Sequence, residues 1–435
     1  MPRGIVPRAI AVTSLGGVLG LATLARDVYV GRLYGYSPEI KNYASAVLLS
    51  VILINSAGGA MAASYSPFFY RRARDLGGPL RWPLGRVFRE GVAIVVGAYI
   101  GLVVLRELLG GVLPQPSVAF SGSRLGDDIA LGLLVVVGLY SRSVNALLMA
   151  QERYVESTLS QCIVPVASIG YLSLWALPTS YTALVYALGL GYLAQALFCH
   201  AIAMRHRAAT RAAPATAPNR DVIVRFAAMF AGALVLAILE YIEVVFAALR
   251  SAEAVAPVNY ASRIVALLLG FVMAGTGNIL TLKFIDIGET TGRDASALRR
   301  PLIRLLLVSA GAGVAVCALT WVTAAPLVRV AYAGGRMSAG ELDLLATYIS
   351  LYALGVPPAL IGFAAGRALV ARARQSSLFW GALATVLTSI ICNLVFWKLG
   401  LPTSSVILAS VCGYGCSATL LTCLALAESN HAATR

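Results

Sequence analysis

Short polar breaks divide this chain into long apolar stretches near 9–30, 43–65, 91–112, 129–150, 159–178, 181–203, 223–248, 258–282, 302–323, 344–366, 377–397 and 404–427. A helix crossing a hydrocarbon core of roughly 30 Å needs about 20 apolar residues, so each stretch is long enough to span a bilayer. The pattern predicts an all-α integral membrane protein with about twelve transmembrane helices. The chain opens on Arg3 and Arg8 before an apolar run, which is the charge order of a signal peptide. No short polar mature region follows, so the run is expected to be a retained first span.

Composition sharpens this reading. Of 435 residues, 59% are hydrophobic and 12% charged, and the mean hydropathy is +0.81, which leaves no room for a large extramembrane catalytic domain. The formal net charge of +15 would suggest nucleic acid in a soluble protein. Here Lys and Arg are sorted by topology instead, because they collect in cytoplasmic loops, and no nucleic-acid partner is expected. Twenty-three of the 34 basic residues fall in the set of connections that includes both termini, nine fall in the opposite set, and Arg142 and Arg263 lie within spans. The expectation is a multi-pass protein of the cytoplasmic (inner) membrane with both termini cytoplasmic.

The chain also repeats itself. Asn42-Tyr43-Ala44-Ser45 opens the second stretch and Asn259-Tyr260-Ala261-Ser262 opens the eighth, 217 residues later. Between the sixth and seventh stretches, Arg205 to Arg225 is rich in Arg, Ala and Pro, including Pro214 and Pro218, and reads as a linker. The division expected is a six-helix lobe over 1–205, a cytoplasmic linker over 206–221, and a second six-helix lobe over 222–435. Six spans separate the two copies, an even number, so the lobes are expected to be parallel repeats about an axis along the membrane normal, enclosing a central cavity.

Ionisable residues inside spans are costly unless they face protein or water. Arg142 lies roughly 20 Å into the fourth stretch at 1.5 Å per residue, too deep to snorkel. Arg26 and Asp27 stand toward the end of the first, and Arg263 stands one to two turns into the eighth. Glu240 and Glu243, three residues apart, share a face of the seventh. The 217-residue offset carries Arg26 onto Glu243. One reading is a set of ion pairs that fix helix packing. The other is a charged cavity for an anionic substrate, lined by Arg26, Asp27, Arg142 and Arg263, with Glu240 and Glu243 for a coupling cation or for gating.

Other chemistry finds no support. The seven cysteines include no C-x-x-C pair, and Cys412 and Cys416, one turn apart, read as reduced packing residues. His200, His206 and His431 are too scattered for a local metal motif, so no metal is expected. Gly16-x-x-x-Gly20, Gly31-x-x-x-Gly35 and Gly362-x-x-x-Gly366 suit close helix approach, and no phosphate-binding loop accompanies them. No catalytic constellation stands out, which argues against an enzyme. The basic loop Arg71-Arg72-Ala73-Arg74-Asp75 could hold a phosphate donor, but topology explains it more simply.

Three ordered motifs resemble a known family. Leu24-Ala25-Arg26-Asp27-Val28 with Arg32-Leu33-Tyr34-Gly35 looks like the first helix of MurJ/MviN-type lipid II flippases, within the multidrug/oligosaccharidyl-lipid/polysaccharide exporter superfamily. Asn259-Tyr260-Ala261-Ser262-Arg263 followed by Leu268-Leu269-Gly270 resembles their eighth helix. Pro326-Leu327-Val328-Arg329-Val330-Ala331-Tyr332, Gly335-Arg336-Met337-Ser338 and Tyr352-Ala353-Leu354-Gly355-Val356-Pro357 look like their ninth-to-tenth helix connection. The resemblance implies a two-lobed flippase that moves an undecaprenyl-pyrophosphate-linked saccharide to the outer leaflet by alternating access. It also implies that Arg26 and Arg263 line the cavity and hold pyrophosphate. Two further cavity arginines of the family fall near Gly20 and Leu53 here, and the family's two additional C-terminal helices are not expected from this sequence. The glycan is therefore open between lipid II, on the path to peptidoglycan, and a polysaccharide repeat unit. The implied partners are this substrate and membrane lipids. No cofactor is implied, and coupling would be to the membrane potential or a monovalent cation. The alternatives are a cation-coupled multidrug antiporter of the same superfamily, which would favour acidic cavity residues, and a membrane-embedded enzyme of glycan assembly.

Overall fold

A computed structural model describes residues 5–75, 80–81, 84–110, 125–151, 153–175, 181–209, 213–214, 220–290, 295–372, 374 and 376–431. The described residues are almost wholly helical. Before the linker stand α1 (Ile5–Tyr34), α2 (Pro38–Asp75), α3 (Leu84–Gly110), α4 (Leu125–Ala150), α5 (Tyr154–Trp175) and α6 (Tyr181–Ala209). After it stand α7 (Arg220–Arg250), α8 (Val255–Thr290), α9 (Ala295–Ala331), α10 (Ala339–Ala353), α11 (Val356–Ala371), α12 (Ser376–Lys398) and α13 (Ser405–His431). Two short strands, β1 (Leu80–Arg81) and β2 (Ala213–Pro214), pair in parallel and tie the connection after α2 to the linker.

The helix ends follow local chemistry. Gly35 closes α1 at φ +59°, a left-handed conformation that a Cβ would penalise, and Pro38 opens α2 at a position where its missing N–H costs nothing. Ser338 and Glu341 form a reciprocal capping box at the start of α10. Eight apolar crossings of sufficient length occur among the described residues. Their outward faces carry large apolar side chains: Leu307, Val308, Val314, Leu319, Val322, Leu327 and Val330 on α9 are all exposed. Such a continuous surface belongs in lipid.

The stretch near 344–366, expected as one helix, is interrupted. α10 ends at Ala353 and α11 begins at Val356, because Pro357 and Pro358 bring no N–H and so deprive the carbonyls of Ala353 and Leu354 of their helical donors. Gly355 N donates instead to the Tyr352 carbonyl at 2.9 Å. From α9, the Trp321 indole Nε1 donates to the Ser350 carbonyl at 2.7 Å. With α10 and α11 counted as one interrupted helix, six helices precede the linker and six follow it among the described residues.

By packing, the chain divides into a unit of Leu21–Ala237 and a unit of Ile238–Arg435 with Met1–Gly20. In the first, α2 packs on α4, α5 on α6, and α4 on α6. In the second, α12 packs on α13, while α11 meets α8, α9 and α13.

The internal repeat is written in these contacts. The 217-residue offset carries Pro38, the start of α2, onto Val255, the start of α8. By the last helix of each half the offset has grown to 222, which carries Gly191-Tyr192 of α6 onto Gly413-Tyr414 of α13. A Cβ on Gly191 would stand 2.7 Å from the Val164 carbonyl oxygen of α5, and one on Gly413 would stand 2.6 Å from the Thr385 carbonyl oxygen of α12. Each glycine thus lets its helix lie directly on the backbone of the helix before it.

Candidate functional site

In the first unit, Arg26 is fixed by its neighbour. Its Nε and Nη2 both donate to Asp27 Oδ1, at 2.9 and 2.7 Å. Asp27 is 7% exposed, so this carboxylate is held for the guanidinium rather than for solvent, and it offsets most of the charge. Tyr43 of α2 and Tyr192 of α6 lie within electrostatic reach of Arg26. The result is an oriented guanidinium with N–H groups to spare and polar rings beside it.

Arg142 is held differently. Its Nη2 donates to Asn55 Oδ1 of α2 at 2.8 Å, and its Nη1 to Gln161 Oε1 of α5 at 3.1 Å. Both partners are neutral amides, and none of the ion pairs among the described residues involves it. Its Nε is buried without a partner. Gly58 makes this placement possible, since a Cβ there would stand 2.7 Å from Arg142 Cδ. Behind it, Ser160 donates to Asn145 Oδ1 at 2.9 Å, extending the polar network between α4 and α5.

In the second unit the polarity is reversed. Glu243 of α7 is 3% exposed; Tyr352 Oη, in the last turn of α10, donates to its Oε2 at 2.6 Å, and Ser410 of α13 lies near the same carboxyl. Glu240 acts electrostatically on Tyr352 and on Tyr414 of α13, as Glu243 does. The two carboxylates therefore share a face, as their spacing predicts, but Glu240 is exposed and Glu243 is not. Arg263 of α8 lies within electrostatic reach of Glu240. At the far end of α7, Arg250 gathers the loop between α12 and α13, donating to the Leu401 and Pro402 carbonyls at 3.0 and 2.9 Å and to the Ser405 hydroxyl.

Over residues 57–429 the sequence matches the model of a family described as lipid II flippase MurJ. The chain belongs to that family. No curated protein matches it. Among solved structures, the inward closed conformation of lipid II flippase MurJ is 16% identical with a TM-score of 0.63, covering 95% of this chain and 86% of that one. An outward-facing multidrug resistance MATE family transporter of the MOP superfamily is 14% identical with a TM-score of 0.69, covering 99% and 96%. A MOP superfamily transporter from Pyrococcus furiosus is 15% identical with a TM-score of 0.68, covering 98% and 96%. At these identities the likeness is one of fold.

In this MurJ-family chain the residues singled out by sequence separate into distinct environments. Arg26 and Asp27 form one pair, outside the family-matched residues. Arg142 stands among amides, Glu243 among hydroxyls, and Glu240 near Arg263. Of the side chains that surround them, Asn55, Gln161 and Ser410 carry no local sequence signal, Tyr192 and Tyr414 belong to the repeated Gly-Tyr pair, and Tyr352 opens one of the family-like motifs. Cys412 and Cys416 are free, as expected, but exposed on α13 rather than packed in its interior.

Proposed function

We propose that this MurJ-family chain moves an undecaprenyl-pyrophosphate-linked saccharide, either lipid II or a polysaccharide repeat unit, from the inner to the outer leaflet of the cytoplasmic membrane by alternating access. It acts as a carrier and not as a catalyst, with both termini cytoplasmic in accord with the sorting of Lys and Arg between its connections. A pyrophosphate diester carries about two negative charges, and taking them unaided through a low-dielectric medium costs many kcal/mol. Guanidinium groups within the spans offset that cost while the prenyl tail stays in lipid.

The observation that carries this reading is an intramembrane arginine, in a chain of this family, whose hydrogen-bond partners are amides and not carboxylates, together with a second that keeps N–H groups free of its own carboxylate. Arg142 has only amide oxygens, and Arg26 keeps N–H groups beyond the two that Asp27 takes. A carrier of cationic drugs needs free intramembrane carboxylates instead, whereas Glu243 is already engaged by Tyr352. Glu240 and Glu243 then serve coupling, to a monovalent cation or to the membrane potential. Glu240 also competes for Arg263 once the anion has left, resetting the carrier.

Reconstitution tests the assignment. Vesicles containing the full chain should expose a fluorescent polyprenyl-pyrophosphate-linked saccharide to a membrane-impermeant quencher faster than protein-free vesicles, and should not accumulate a cationic dye. Dye transport without movement of the lipid-linked saccharide would establish the antiporter reading.

A further inference from the structure

The first unit holds two intramembrane arginines at different depths. Along α1, Arg26 lies about 12 Å short of the helix end at Tyr34, at 1.5 Å per residue. Along α4, Arg142 lies about 25 Å from Leu125 and about 12 Å from Ala150. Asn55 is likewise about 25 Å from the start of α2 at Pro38, so the amide and the guanidinium meet at one level. With the proposed orientation, Arg26 belongs to the outer part of the membrane and Arg142 to the inner part.

The two differ in charge balance as well. Asp27 neutralises Arg26, while the partners of Arg142 are amides that orient a guanidinium without cancelling its charge. A structural arginine in a helix interior ordinarily receives a carboxylate, because an unbalanced charge at this depth is costly. Here two neighbouring helices contribute only acceptor oxygens, and α2 contributes a glycine to make room. The opening beside them is on the same face: Asn55 and Gly59 are exposed on α2, and a Cβ on Gly59 would meet nothing within 4 Å. An exposed asparagine and an unbalanced arginine at this level face water or a polar ligand, not lipid.

We infer that Arg142, oriented by Asn55 and Gln161, is an anion station on the cytoplasmic side of the first unit, which receives a diphosphate group before it reaches Arg26. The inference rests on the transport reading above for the role of the site, but not for its chemistry. The ligand is a diphosphate, whether the head group of a prenyl lipid or the free ion. Two amide oxygens occupy one N–H of each terminal nitrogen, and the second N–H of each remains to donate to the incoming oxygens. Amides suit a station that must also release, since they hold the side chain in place and leave its charge for the passing anion.

Asn55→Asp and Gln161→Glu separate this role from a structural one. Each is nearly isosteric and places a carboxylate where an amide oxygen now lies 2.8 or 3.1 Å from the guanidinium. A purely structural arginine gains an ion pair and keeps or raises its thermal stability. An anion station loses its free charge. Binding of inorganic pyrophosphate and of farnesyl pyrophosphate to the full chain in nanodiscs, followed by calorimetry alongside thermal unfolding, reads both. Expected is at least a tenfold loss of affinity in both variants with no fall in melting temperature, and partial retention in Arg142→Lys. Tighter binding of farnesyl pyrophosphate than of pyrophosphate by the wild type marks the lipid head group as the ligand, and equal binding marks the free ion. Wild-type affinity for both probes in both variants, or no binding of either probe by the wild type, overturns the station. A chain that transports the lipid-linked saccharide yet binds normally as Asn55→Asp loses only this inference. One that binds through Arg142 but transports nothing loses only the transport reading.

Discussion

Glu243 is a carboxylate that is 3% exposed on a membrane helix, and the Tyr352 hydroxyl of α10 holds it there. The Tyr352 hydroxyl at 2.6 Å satisfies one of its oxygens, and removing the donor leaves that oxygen unmatched in a site water does not readily reach. Tyr352→Phe is expected to cost about 1–3 kcal/mol, read as a lower melting temperature in detergent. Glu243→Gln keeps an acceptor for Tyr352 and is expected to hold the fold while slowing transport turnover. A melting temperature unmoved by Tyr352→Phe would contradict the first expectation, and undiminished turnover in Glu243→Gln the second. At this scale the sequence showed the charges and hid their partners. A Glu or Arg inside an apolar run is visible because burial makes it expensive. Tyr352, 109 residues from Glu243, and Asn55, 87 residues from Arg142, are partners that only folding brings near.

Helices in this chain meet through glycines and open at prolines. Gly191 and Gly413 lie at equivalent places, each against a carbonyl of the preceding helix, so Gly191→Ala and Gly413→Ala should each destabilise by about 1–3 kcal/mol by forcing packed backbones apart. Gly189 and Gly415 are the controls, since a Cβ at either meets nothing within 4 Å. Alanine there should be neutral or slightly stabilising through helix propensity. Equal thermal shifts in all four variants would remove the basis for reading the Gly-Tyr pairs as repeated packing. The interruption between α10 and α11 supplies another test. Trp321→Phe strips the Ser350 carbonyl of its 2.7 Å donor, with an expected loss of about 1 kcal/mol, seen as faster amide exchange in the last turn of α10. Hydropathy alone joined these two helices into one span, because the break is apolar. The Pro357-Pro358 pair was the visible signal, and its missing N–H groups account for it.

Across the whole molecule, one architecture is used twice with opposite charge. The first helix of each half brings a charged residue, Arg26 or Glu243, within reach of a tyrosine of the last, Tyr192 or Tyr414. The helices and the short repeat of Asn-Tyr-Ala-Ser were legible because hydropathy and an internal copy are global patterns that tolerate local error. The second copy of Gly-Tyr was harder to see, since the offset drifts from 217 to 222 residues along the half. At the equivalent place on their first helices, one half carries a base and the other an acid. The central claim is that guanidinium groups carry the pyrophosphate, and the rate of lipid-linked saccharide flipping in reconstituted vesicles tests it most directly. At matched protein levels, Arg26→Ala and Arg263→Ala are expected to abolish flipping, and Arg26→Lys and Arg263→Lys to restore only part of it, because Lys keeps the charge and lacks the planar fork. Flipping at the wild-type rate by both alanine variants would contradict the account.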